Sequence, residues 1–189
     1  MASVLPFRDH ALARLRAQLG EAEEAREDLI AFARGHSGAV ASIHQAVLAA
    51  IATPDIDRLM DCVTNAWPQI LTIDSIALSL VIGERAFCAS SSGVQAIAPE
   101  IVERAIERSG KVAMRAVGRG HPMFGVAAGP IRAEATVAID CGPALPRGLL
   151  LLGQHQAHAL DDRHGGALLQ FLGSSLGAMI ARWLTAPND

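Results

Sequence analysis

Tyrosine is absent from this chain of 189 residues, and all aromatic residues together make up only 4%. Lysine is nearly absent as well: Lys111 stands alone, and arginine carries almost all the positive charge, scattered along the sequence. Nucleic-acid binding needs a basic face, and single-strand binding usually adds stacking aromatics. With a net charge of −3 the chain offers neither, which argues against a nucleic-acid partner. Cysteine is scarce and odd in number. The three thiols, Cys62, Cys88 and Cys141, lie far apart, which favours reduced cysteines in a cytoplasmic protein over a disulfide framework. The N-terminus lacks a charged segment followed by an apolar core, so no signal peptide is read there. No apolar run is read as a membrane span, and no membrane partner is expected.

What the chain does have is apolar residues, at 51%, many of them alanine. That content excludes disorder as the global state and suits closely packed helices. The length fits one domain with an appended element. Leu12, Leu15, Leu19 and Leu29 recur at helical steps with Ala22, interrupted by Arg26. So narrow a stripe resembles a coiled-coil edge, and these four leucines are the expected interface of a homodimer. The alternative is a solvated helix docked on its own domain. Gly35-His-Ser-Gly38 breaks the pattern, dividing an N-terminal helical extension, 1–34, from a domain over 35–189.

Within that domain Ala39–Ile51 has helical spacing. Thr53 is expected to cap a following helix, with Pro54 at its first position and Pro68 at its end. Alternation over Ser75–Ile82 predicts a strand, and Gly83-Glu-Arg a turn into a second near Ala86–Ser90. Ser90–Gly93 reads as loop, Pro99–Gly110 as a short helix, Lys111–Val117 as a strand and Gly118–Gly125 as loop. Alternation over Ile131–Ile139, a Gly/Pro turn and the run Gly148–Gly153 predict two antiparallel strands, followed by a long C-terminal helix. Its Gly173, Gly177 and Ala181 form a smooth strip expected to lie against Ala39–Ile51. The sum is an α+β fold: an antiparallel sheet of five or six strands with helices from both chain ends on one face, plus the coiled-coil-like N-terminal helix.

The order of Ala25-Arg-Glu-Asp28, Thr53-Pro-Asp-Ile-Asp-Arg-Leu59, Ile73-Asp-Ser-Ile-Ala-Leu78, Met123-Phe-Gly125, Gly148-Leu-Leu-Leu-Leu-Gly153 and Phe171-Leu-Gly resembles the bacterial "domain of unknown function 484" family. The resemblance runs from about Leu12 to Leu184 and implies a GAF-like fold. It departs from that family at Ala133–Asp140 and at Gln154. The family brings no established reaction.

No catalytic frame is legible. His155, His158, Asp161, Asp162 and His164 cluster in a strand-to-helix connection and read as polar loop rather than metal site, and no cofactor is expected. Gly118-Arg-Gly-His-Pro lacks the Lys-Ser/Thr of a phosphate loop. The expected function is a non-enzymatic sensor or regulatory module that binds a small metabolite and signals through dimer helices to an output protein. The rival is an interaction scaffold without ligand, and a more distant one is a thiol-dependent reductase of the same fold. The ligand pocket is expected under the segments Val94–Gly125, with Ser79, Arg115, Phe124, Arg132, Glu134 and Thr136 as its residues. If Arg132 turns inward, Glu134 or an anionic ligand must pair with it, because an unpaired buried charge is very costly. Otherwise Arg132 and Glu134 form a solvated pair.

Overall fold

The computed structural model describes residues 37–143, 145–157 and 162–185, together with Gly20, Glu23, Arg26 and Gly35; for 162–164 it describes backbone only. Leu12, Leu15, Leu19 and Leu29 lie outside the described residues, so the N-terminal stripe and its dimer remain expectations. The chain divides into two compact units, Met1–Ala39 and Val40–Asp189. The second holds the sheet.

That sheet has six strands, β1 (Ser75–Ile82), β2 (Arg85–Ser90), β3 (Gly93–Ile97), β4 (Val112–Ala116), β5 (Ala133–Asp140) and β6 (Arg147–Gln154), in the order β3-β2-β1-β6-β5-β4. Every neighbouring pair is antiparallel. β1 and β6 are central and register Leu78 against Leu150. Both are buried on both sides over most of their length, so β1 is more deeply enclosed than its mixed Ser/Ala alternation suggests.

Alternation sorts the sheet into two cores. Ile76, Leu78, Leu80, Ala135, Val137, Ile139, Leu150 and Leu152 face the helices of the two chain ends: α1 (Ser37–Ile51), α2 (Ile56–Asp61), α3 (Trp67–Leu71) and α5 (Asp162–Thr185). Ala77, Cys88, Leu149 and Leu151 face the other way, under α4 (Pro99–Ser109) and a 3-10 segment, Pro122–Ala128.

Several local expectations are corrected. α2 is capped by Asp55, whose carboxylate accepts the Arg58 N–H at 2.7 Å, while the Thr53 hydroxyl turns back to the Ala50 carbonyl. Pro68 does not end the helix. A π segment over Cys62–Ala66 precedes it, and Pro68 falls in the first turn of α3, where its missing N–H breaks no bond. Trp67 is fully buried and donates its Nε1–H to the Ala46 carbonyl at 2.9 Å, tying this turn to α1. The segment Gly93–Ile97, unassigned in the sequence, is the edge strand β3, exposed along nearly its whole length and therefore without a hydrophobic pattern. The expected loop over Gly118–Gly125 contains the start of the 3-10 segment, kinked at Gly125 with φ 58°.

The smooth strip of α5 serves a different neighbour than expected. A Cβ on Gly173 would stand 2.5 Å from Val137 Cγ1, and one on Gly177 would stand 2.5 Å from the Asp140 carbonyl oxygen. The glycines let α5 descend onto β5, and α5 meets α1 through side chains instead, with Phe171 edge-on to His44 at 6.3 Å. Gly165–Thr185 does reach the length and apolarity of a membrane span, contrary to the sequence reading. Here its apolar face, with Leu172, Leu176 and Ile180 fully buried, packs on the sheet.

Candidate functional site

The pocket face is the one under α4 and the 3-10 segment, and its centre is occupied by the chain's own side chains. Met123, Phe124 and Ile131 pack with Val102, Leu149 and Leu151. The fit is close enough to require glycine below: a Cβ on Gly153 would overlap Ile131 Cδ1 and stand 3.0 Å from Phe124 Cζ. Ser79 lies beneath this cluster, fully buried, with its hydroxyl 3.2 Å from Met123 Sδ and 3.3 Å from the Leu149 carbonyl oxygen. Ser79 and Phe124 are therefore core residues.

Toward the β4 edge the packing opens into a hollow of about 340 Å³. Ile101, Arg104, Ala105, Arg108 and Ser109 of α4 form one wall; Arg115 and Thr136 of the sheet, with His121 and Pro122, form the other. Under it lies Glu134, 1% exposed and directly opposite Arg115 in the strand register. Its Oε1 accepts from Arg115 Nε at 2.8 Å and Nη2 at 2.6 Å, and its Oε2 accepts the His121 backbone N–H at 2.8 Å. A buried carboxylate demands such saturation. Thr136, also buried, offers its hydroxyl to the Ala113 carbonyl at 3.4 Å.

The expected Arg132–Glu134 pair does not form. Arg132 is exposed and donates Nη1 to the carbonyls of Gly129 and Ile131 at 2.8 and 2.9 Å, bracing the loop before β5. Of the six expected site residues, Arg115, Glu134 and Thr136 come together, Ser79 and Phe124 fill the adjoining core, and Arg132 stands apart. Arg104, Arg108 and His121 were missed. The first two share a helix face at i, i+4 spacing, a signal the sequence did carry.

His121 opens the 3-10 segment, its Nδ1 accepting the Met123 N–H at 3.3 Å. Burial holds its pKa below the ordinary value; Glu134 pulls it upward, while Arg115 and Arg108 push it further down. The neutral ring with Nδ1 accepting carries its proton on Nε2.

The cysteines offer no reactive thiolate. All three are buried. Burial pushes Cys88 up to about 11, and burial together with the Asp140 charge does the same for Cys141. Burial, then the Asp61 charge, raises Cys62. His155 is exposed and engages Asp74, its N–H donating at 2.7 Å. No group of potential metal ligands occurs among the described residues; His158 and Asp161 lie outside them, as do the side chains of Asp162 and His164.

This arrangement, a six-stranded antiparallel sheet with the terminal helices on one face and a short helix over the other, is the fold of GAF domains. The GAF domain of a phosphoenolpyruvate-protein phosphotransferase from Coxiella burnetii matches with a TM-score of 0.57 at 15% identity, covering 78% of this chain and 95% of that one. The GAF domain of a two-component sensor histidine kinase from Bacillus halodurans matches at 0.51 and 15%, covering 68% and 95%. Free methionine-R-sulfoxide reductase from Neisseria meningitidis, solved with its substrate, matches at 0.56 and 15%, covering 77% and 89%. No family model and no curated protein sequence matches the chain.

Proposed function

We propose that this chain is a non-enzymatic sensor or regulatory module that takes a small metabolite on the α4 face of its sheet. Occupancy is passed through the terminal helices of a homodimer to an output protein. The observation that supports this most is the open, arginine-lined hollow above a fully satisfied buried carboxylate, on the face opposite the terminal helices. Sensing is also the context of the Bacillus halodurans GAF domain. A ligand acts here by binding one helix arrangement more tightly than another, and only that difference can shift the equilibrium. The dimer contact is assigned to Leu12, Leu15, Leu19 and Leu29, in line with their narrow stripe at helical spacing.

One observation favours a second reading, an interaction scaffold: Met123, Phe124 and Ile131 already fill the middle of the face. The reductase reading is the weakest, because a working thiol needs exposure and a lowered pKa, and the cysteines have neither.

Native mass spectrometry of gently purified protein separates the readings. The sensor reading expects a dimer carrying added small-molecule mass, and removal of residues 1–34 yields monomer by light scattering. A dimer that survives the deletion overturns the interface. A ligand-free protein whose mass and helix content respond to no metabolite extract favours the scaffold.

A further inference from the structure

We propose that the hollow between α4 and the β4–β5 edge binds a compact dianionic metabolite group, with Arg104, Arg108 and Arg115 as its cationic clamp. This rests on the sensor reading and gives its ligand a chemistry. The charged side chains that line the opening are all arginines. Arg115, which lines the hollow, spends Nε and Nη2 on Glu134, and its Nη1 makes no hydrogen bond among the described residues. Arg104 spends Nε on the Glu100 carbonyl at 3.0 Å, which fixes its stem along α4 and leaves both terminal nitrogens unused. Arg108 makes no hydrogen bond or ion pair among the described residues. His121, with Nδ1 occupied as an acceptor, presents Nε2–H.

Against these donors stands one carboxylate, Glu134, whose two oxygens are both engaged. Three guanidinium charges less that one leave a local charge of +2 in a chain whose net charge is −3. General basicity cannot explain such a concentration. Of the other acids of α4, Glu103 pairs with Arg147, Glu107 borders a separate hollow, and Glu100, one turn before Arg104, does not line this one. Guanidinium forks match planar carboxylate and tetrahedral phosphate oxygens equally well. The volume of about 340 Å³ suits a small metabolite, and the apolar flank of Ile101, Ala105 and Pro122 would receive its carbon skeleton.

The test uses the full chain, with inorganic phosphate and succinate as minimal probes and glycerol as the neutral control, all at constant ionic strength. Calorimetry and the His121 Cε1–H resonance are followed together. Saturable binding of phosphate, succinate or both is expected, with a His121 shift, and Arg104→Ala/Arg108→Ala should weaken it at least tenfold. Both side chains are exposed, and circular dichroism verifies that the variant keeps the fold. Phosphate alone binding identifies a phosphoryl group; succinate alone identifies a dicarboxylate. Absence of saturable binding by either probe up to tens of millimolar, or binding undiminished in the double variant, overturns the proposal. If a neutral metabolite is found bound while both anions fail, the sensor reading survives and the anion clamp does not. If nothing binds, both fall.

Discussion

Replacing Arg115 with alanine removes two of the three hydrogen bonds to Glu134 and leaves one carboxylate oxygen without a protein partner. The two sides of the pair are unequal. Glu134 is 1% exposed, whereas the Arg115 side chain is 51% exposed and can return to water. Stranding a buried charge costs about 3–5 kcal/mol, and the adjoining hollow lets water reach one oxygen, so we expect about 3 kcal/mol for Arg115→Ala. Glu134→Gln keeps an acceptor of the same shape and strands only a half-hydrated guanidinium, for about 1 kcal/mol. The double variant should then be more stable than Arg115→Ala alone, because the buried charge that caused the loss is gone. Urea unfolding at pH 7 measures all four proteins. A loss of 3 kcal/mol lowers the midpoint by roughly 1–3 M for a typical urea dependence. If the two substitutions simply add, or the double variant is the least stable of the set, Glu134 is not a buried charge held by Arg115.

Two further outcomes follow from the packing and the charges. Gly177→Ala places a methyl group 2.5 Å from the Asp140 carbonyl oxygen, whereas Gly166→Ala meets nothing within 4 Å. The first should lower the melting temperature by several degrees and the second should raise it slightly, since alanine in open helix gains up to about 1 kcal/mol over glycine; equal effects would remove α5 from β5. His121 is held below its ordinary value of 6.5, chiefly by burial, with Arg115 and Arg108 outweighing part of the pull of Glu134. The unfolded chain therefore takes up a proton first as pH falls, and the neutral ring's contribution is present above about 6.5 and lost on descending toward the lower folded value. Unfolding free energy should decline between pH 7 and 5 in the wild type and less steeply in His121→Asn, which keeps a capping acceptor.

The long apolar repeats made most of the architecture legible. β1, β5, β6, α4 and the C-terminal helix follow from alternation or from Pro and Gly boundaries, and these already imply an antiparallel sheet. What stayed hidden has physical reasons. β3 is an exposed edge where Val94 lies open and only the last residue, Ile97, packs against the core. Pro68 normally stops a helix, and only an added π turn lets the chain continue. Glu134 shows best how far sequence reaches. The sequence raised it as a partner for Arg132, but its partner is fixed by strand register, which pairs it with Arg115 across the ladder and not with Arg132 two residues before it. Arg104 and Arg108 carry no mark in the sequence beyond their i, i+4 spacing, because nothing local reveals that a strand with Arg115 comes to lie beside them.

Thr136 of β5 lines the hollow, and farther along the same strand α5 comes down onto Val137 at Gly173 and onto the Asp140 carbonyl at Gly177. Where a helix rests on a strand through long side chains, a small tilt of the strand is absorbed as rotamer changes and goes no further. At Gly177 main chain bears on main chain, while at Gly173 the Val137 side chain lies nearest, and close-packed interiors transmit strain. On the sensor reading, a displacement of β5 at the hollow would be carried into α5 through this contact. Substituting Gly177 would wedge the two elements apart, since an added methyl group has no room against the Asp140 carbonyl oxygen, and on the sensor reading coupling would be lost ahead of binding.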